Sequence, residues 1–299
     1  MHTVHHWFFR LLLALTLLAA LSAGATAKEL ASSEVRADTL RAIFSGGERL
    51  HYAVSWSGGV KIGDVYLAIL PQEQPDTHLI QARVRDYGPL TVFYPVNDTF
   101  RCVVGGEMKL PTRYEVEQKE GYGREISRLT LYNQDTHLVR YRKNKEAFQE
   151  FQLDGMVYNE FASFIITRAL NFNRNNEIVV PTFADKKRHE VGVTMVERER
   201  RPSVFGDVRT LKVQPRMQFK GLYEKSGETV LWLTDDQCRV PVEIQSRIVI
   251  GSLVAKLVEY ENPACAELTD LARRKNLPAP GTAPPVSGGK QVSAAVSRP

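Results

Sequence analysis

From about residue 48 the chain alternates apolar and polar positions with a period of two, the mark of strands that bury one face. Tyr52, Val54 and Trp56 oppose His51, Ala53 and Ser55, while Ile80, Ala82 and Val84 oppose Gln81, Arg83 and Arg85. The rhythm is clearest where Val240, Val242, Ile244, Ser246 and Ile248 alternate with Pro241, Glu243, Gln245 and Arg247. One oily and one charged side per strand is what an antiparallel sheet with a solvated face requires. Turn formers separate the runs at Ser57-Gly58-Gly59, Gly105-Gly106, Glu120-Gly121-Tyr122-Gly123, Asn133-Gln134-Asp135, Ser226-Gly227 and Asp235-Asp236. Their spacing predicts roughly eleven or twelve strands in a meander. The expected fold class is mainly β, an antiparallel closed or partly open β-barrel or a strongly curved sheet.

Two stretches depart from this rhythm. Gly88-Pro89 followed by LTVFYPV predicts a single helical turn before Pro95. DGMVYNEFASFIITRALNF (154–172) predicts one long helix over about 155–170, with Asp154 as its cap. Met156, Val157, Phe161, Phe164, Ile165 and Ala169 recur there at spacings of three and four. Such a helix packs on or caps the sheet, or forms a lid over an apolar cavity. The phrase KIGDVYLAI (61–69) returns as VIGSLVAKL (249–257), which reads as equivalent turn-and-strand units near the two ends of one sheet. Gly63 and Gly251 permit the bend or bulge that a curved sheet needs. If adjacent, these hairpins form the seam where the barrel closes or nearly closes.

The first 27 residues read as an export signal. A weakly basic start is followed by the apolar core LLLALTLLAALSA and by the small residues Ala25-Thr26-Ala27. That core is shorter than the ~20 residues a spanning helix needs, so cleavage after about Ala27 and a periplasmic location are expected. Residues 28–45 are expected to form a polar, loosely held arm and 46–265 a single barrel-like domain. The Ala/Pro-rich stretch 266–299 lacks periodicity and is expected to be a disordered tail. No later segment reaches spanning length, so no transmembrane span is expected in the mature chain. The oligomeric state is not legible.

Charge changes this picture little. A formal charge of +5 from 39 basic and 34 acidic residues is spread among alternating signs, as in VERERR (196–201). Nucleic-acid binding needs a one-signed patch with interleaved aromatics, which is absent. Catalytic motifs are absent too. There is no G-x-S-x-G, and Ser252 after Gly251 opens a strand rather than an elbow. His51, His78, His137 and His189 show no metal-ligand spacing. GYGREI (121–126) lies in a hairpin and lacks a third glycine, and Asp235-Asp236 reads as a turn. The expectation is no catalytic residue, no metal and no cofactor, hence a protein that is not an enzyme.

Cys102, Cys238 and Cys265 fit no zinc pattern. If Val249-Ile250-Gly251-Ser252 form a hairpin turn, Cys238 lies opposite about 263 and a Cys238–Cys265 disulfide follows. Cys102, alternating with Phe100 and Val104, is expected as a buried free thiol. Aromatic residues on inward strand faces or on the helix, Tyr52, Trp56, Phe100, Phe161, Phe164 and Trp232, are candidates to line a ligand cavity, or else simply fill the core.

Three phrases together resemble a bacterial exported family, domain of unknown function 3108. They are ERLHYAVSWSGGVKIGDVYLAI (48–69), FYPVNDTFRCVV (93–104) with PTRYEVEQKEGYGRE (111–125), and GLYEKSGETVLWLTDDQCRVPVEIQSRIVIGSLVAKLVEYE (221–261). VFGDVRTLKVQP (204–215) between them is also similar, whereas the turn RPSVFGD departs from the compact Pro-Ala-Gly type expected there. The resemblance, over about 48–261, implies an exported, barrel-like antiparallel protein and supplies no active site. A looser likeness in fold reaches periplasmic lipoprotein carriers, open barrels with helices over an oily concavity. The leading expectation is a periplasmic, non-enzymatic protein that binds an apolar or amphipathic ligand, such as a lipid or lipoprotein acyl chain, or an envelope protein partner. The alternatives are a structural or interaction role in cell-envelope or polysaccharide assembly, and a polysaccharide- or peptidoglycan-acting enzyme.

Overall fold

Two meanders joined by one long-range strand pair make up the protein. A computed structural model describes residues 28–56, 59–88, 90–93, 95–173, 176–217, 229–248 and 251–276. The expected signal segment 1–27, the tail beyond 276, the Ser226-Gly227 turn and the Val249-Ile250 pair lie outside the described residues. The first meander comprises β1 (Glu48–Trp56), β2 (Val60–Pro71), β3 (His78–Asp86), β4 (Asn97–Gly105), β5 (Leu110–Glu120), β6 (Arg124–Asn133), β7 (Leu138–Lys143) and β8 (Gln149–Gln152). The second comprises β9 (Ile178–Ala184), β10 (Lys187–Ser203), β11 (Gly206–Met217), β12 (Thr229–Thr234), β13 (Pro241–Ile248) and β14 (Gly251–Glu261). These fourteen described strands form one antiparallel sheet in the order β8-β7-β6-β5-β4-β3-β2-β1-β14-β13-β12-β11-β10-β9. The count exceeds the expectation because pieces as short as the four-residue β8 leave little periodic signal.

The recurring phrase occupies neighbouring hairpins, since β1 pairs both with β2 and with β14. It is the centre of the sheet, however, and not the place where a barrel closes. The sheet's ends are β8 and β9, and no strand pair joins them. They nevertheless approach one another. Phe183 on β9 meets Phe151 on β8 at 5.6 Å and Tyr132 on β6 at 6.2 Å between ring centroids. The connection after β8 spans the gap: the Tyr158 N–H donates to Pro181 O at 2.8 Å, and the Phe183 N–H donates to Tyr158 O at 2.7 Å. The Gln134 amide holds that connection from the other side, on the Val157 carbonyl at 3.0 Å and N–H at 3.2 Å.

This bridging corrects the expected helix start. The short turn α2 (Leu90–Phe93) lies where expected, after a helix α1 (Ala37–Ile43) that was not, and α3 runs only Glu160–Arg168. Its cap is Asn159, whose Oδ1 accepts from the Ala162 N–H at 2.8 Å, rather than Asp154. Val157 and Tyr158 stay extended because their backbone groups serve Gln134 and the β9 edge, which a helix would have consumed. The N-terminal arm is likewise not loose. Leu40, Ile43 and Phe44, on and just after α1, are buried in the core, and the Arg36 N–H donates to Ala169 O at 2.7 Å. Residues 266–276 are also not disordered: α4 (Ala266–Asn276) follows β14 and buries Ala272.

A buried ion pair ties these parts together. Glu48 begins β1 on its inward face and Arg168 ends α3, and both side chains are 0 % exposed. The guanidinium grips the carboxylate with two bonds of 2.6 and 2.8 Å. It also donates to the carbonyls of Arg239 at 3.0 Å and Cys238 at 3.1 Å. The Tyr260 hydroxyl and the Asn262 amide complete the shell of Glu48, each at 3.2 Å. Burial pulls the Arg168 pKa down, but the facing Glu48 reverses this and holds it above the ordinary arginine value. Beside this knot lies a Cys238–Cys265 disulfide, the expected pair. The hairpin register behind that expectation is corrected by two residues: Ile248 faces Gly251, rather than Val249 facing Ser252.

Removing one partner leaves a buried charge unpaired, so Glu48→Gln is expected to cost roughly 3–5 kcal/mol, whereas the double change Glu48→Leu with Arg168→Met recovers most of it. Urea midpoints of the three proteins measure this, and an undiminished double-variant loss would argue against it. Gly63 has its own reason: beside the bulge in β2, a Cβ there would sit 2.5 Å from the Arg85 carbonyl oxygen. Gly63→Ala should therefore cost about 1–3 kcal/mol. Gly105→Ala, whose methyl would meet only Thr77 Oγ1 at 3.7 Å, serves as the near-neutral control in the same melts.

Candidate functional site

Helix α3 crosses the concave side of the sheet, anchored at both ends. Asn159 accepts a weak 3.5 Å contact from the Cys102 thiol on β4, and Arg168 holds β1 through Glu48. Midway, the Thr182 hydroxyl on β9 donates to Ser163 Oγ at 3.0 Å. Ala162, Ile165 and Ile166 bury the helix in the core. Glu160, Phe164 and Thr167, spaced four and three apart, share another face.

That second face looks into a hollow of about 840 Å³. Its walls are mostly apolar: Val65 and Leu67 from β2, Val191 from β10, Leu231 from β12, Ile244 from β13 and Ala255 from β14. Tyr52, Phe161 and Phe164, expected from the sequence, are on this lining. The space persists because several wall positions carry small side chains, Ser163, Thr182, Ala184 and Ala255 among them. Such a volume is in the range of small-molecule sites, ~300–1,000 Å³.

A second hollow of about 410 Å³ lies on the other side of Phe161, against β4 to β7. Phe100 and Phe161 both line it, with ring centroids 5.0 Å apart. Its character differs: Arg128, Thr130, Tyr141, Asp185, Lys186 and Glu160 contribute polar groups. Glu160, Phe161 and Ala184 belong to both hollows, which therefore meet at the start of α3.

Two expected lining residues lie elsewhere. Trp232 is buried in the opposite face of the sheet, where its indole N–H donates to Glu199 and Arg201 lies over its ring at 4.2 Å. Alternation explains this, because Leu231 and Leu233 take the inward positions of β12. Trp56 sits at the end of β1 opposite Val60 and Leu253, and it lines neither hollow. Cys102 is a buried free cysteine whose thiol pKa burial pushes up, away from a nucleophilic thiolate. Asp236 is occupied as a turn former, accepting from the Cys238 N–H at 2.8 Å and the Arg239 N–H at 3.0 Å. Among the described residues no group of three or more His, Cys, Asp or Glu is placed to hold a metal ion, and no helix is long and apolar enough to cross a membrane.

Glu160 was not singled out from sequence, although its spacing from Phe164 and Thr167 was the available signal. Its side chain is exposed by surface area, yet enough protein surrounds it that desolvation raises its pKa above the ordinary value of 4.5. A carboxyl raised on folding costs stability as pH climbs through its folded-state pKa, because the folded form then holds the proton more tightly than the unfolded one. Glu160→Gln should gain in melting temperature relative to the parent from pH 4.5 upward, with the two converging below it. A gap that stays constant with pH would count against a desolvated carboxylate.

The comparisons bear on fold more than on chemistry. A family described as "Protein of unknown function (DUF3108)" matches residues 51–258. The chain is similar to a crystal structure described as a beta-barrel-like protein of domain of unknown function DUF1849 from Brucella abortus. The TM-score is 0.51 at 8% identity, covering 73% of this chain and 98% of that one. At that identity the likeness speaks for the shell alone. No curated protein matches the sequence.

Proposed function

The chain belongs to the DUF3108 family, and on that footing we propose that it is an exported, periplasmic, non-enzymatic protein whose curled sheet binds an apolar or amphipathic ligand. One observation carries the reading: the hollow of about 840 Å³, walled mainly by aliphatic and aromatic side chains beneath α3. Apolar surface left facing an interior space gains free energy when a hydrocarbon chain replaces water there, about 25 cal/mol per Å² removed. Phe161 and Phe164 close the space from the helix side, and the sheet supplies the rest. The periplasmic location rests on the N-terminal pattern of a basic start, an apolar core and small residues before Lys28. The disulfide is consistent with an oxidising compartment.

The test is native mass spectrometry, with lipid extraction, on the mature protein purified from its own periplasm. A copurifying lipid or acyl chain is expected; a lipid-free protein with a reproducible protein partner overturns the reading. A variant localises the site. Ala255 lies on the wall of the large hollow, so Ala255→Trp fills empty space and should weaken a fluorescent acyl probe about tenfold or more. Its melting temperature should stay near that of the parent. Probe affinity equal to the parent's would place binding elsewhere.

A further inference from the structure

We propose that the amphiphile carries a hydroxylated head, a glycerol or a sugar, seated in the smaller hollow between Arg128 and Glu160 with its chain in the larger one. This rests on the reading above, that the shell binds an amphiphile. The two hollows meet at Glu160, Phe161 and Ala184, so one molecule reaches both. They differ in kind, one mostly apolar and the other rich in polar groups, as the two ends of an amphiphile differ.

The polar groups of the smaller hollow are under-used. Arg128 spends one donor on the Gln118 side-chain oxygen, while its Nε is fully buried without a partner. Among the described residues Glu160 forms no ion pair, although Arg128 is close enough to act on its charge. The Arg128 Nε is closed off from the hollow as well, so a group seated there meets the terminal guanidinium N–H groups of Arg128, which lines the space. A donor on such a wall costs more left unmade than a made bond returns. A guanidinium only donates and a carboxylate only accepts. A group between them must therefore accept from one and donate to the other, which a hydroxyl does. A phosphate or sulfate suits Arg128 and Lys186 but faces Glu160 and Asp185, and an ammonium meets the reverse conflict. Tyr114 adds aromatic surface to this lining, of the kind against which the C–H side of a polyol packs, while Lys186 lies over the Tyr141 ring at 5.1 Å.

Calorimetry on the mature full-length protein, below micelle-forming concentrations, separates these cases with one dodecyl chain on four heads: glucoside, glycerol monoester, sulfate and trimethylammonium. At least one hydroxylated probe is expected to bind about tenfold tighter than either ion, and the glucoside and glycerol arms tell a sugar head from a glycerol one. Arg128→Met and Glu160→Met should each remove about tenfold from the preferred hydroxylated probe. Glu160→Met relieves the conflict for the sulfate head and Arg128→Met that for the trimethylammonium head, so those two pairings bind no more weakly than on the parent. Equal affinity for all four heads, preference for a charged head, or variants that weaken every probe alike would overturn the head-group assignment while chain binding stands. If none of the four binds, chain binding itself fails, and this inference with it. Should either variant lose its cooperative melt, the four-probe ranking on the parent still decides.

Discussion

The bidentate contact between Arg168 and Glu48 is the constraint on which the rest of the architecture turns. It joins the end of the crossing helix to the first residue of the central strand, and neither side chain is open to solvent. Taking two charges out of water is costly, and that cost is offset by four hydrogen bonds from the guanidinium and by further donors to the carboxylate. The partners outside the pair are the carbonyls of Arg239 and Cys238, the Tyr260 hydroxyl and the Asn262 amide. Asn262 in turn donates to the Ala42 carbonyl at 3.0 Å, which draws in α1. One polar knot therefore registers the N-terminal helix, the start of β1, the disulfide corner and the end of β14 against each other.

With its C-terminal end held there, α3 is directed across the concave face, and its first turn falls where the two hollows meet. Polar anchors of fixed length hold the helix along its course: Asn159 near Cys102, Ser163 against Thr182, and Arg168 on Glu48. Directional bonds of this kind set a spacing that non-directional apolar packing would reduce. Small wall residues preserve the space, and Phe161 divides it into an apolar and a polar part. The result is a shell whose two hollows meet at Glu160, Phe161 and Ala184.

How much of this was legible in the residues varies with the kind of interaction. Strand faces such as those of Tyr52 and Ile80 follow from alternation because the pleat has a period of two. The Cys238–Cys265 pair follows from hairpin geometry even though the cross-strand partner shifts by two residues, since the corner beyond the end of a ladder takes up that slippage. Arg128 is the contrary case. In Arg124–Asn133 the apolar residues Leu129 and Leu131 alternate with Arg128, Thr130 and Tyr132, and hydropathy alone turns the leucines inward. Pairing decides otherwise: Val116 and Tyr114 face the core, and their cross-strand partners Arg128 and Thr130 must share that side.

Local pattern thus determined the mainly antiparallel β character, the turns between strands, the presence of a helix near 160 and three of the aromatic residues around the large hollow, because these depend on neighbours within a few positions. Tertiary structure decided the pairing of β1 with β14 at the centre of the sheet, the late start of α3, the ordered segments at 37–43 and 266–276, and the inward turn of Arg128 and Glu160. Each of those rests on a partner distant in sequence, such as Glu48 for Arg168 or Pro181 for Tyr158, and the periodicity of a single segment carries no information about what will stand across from it.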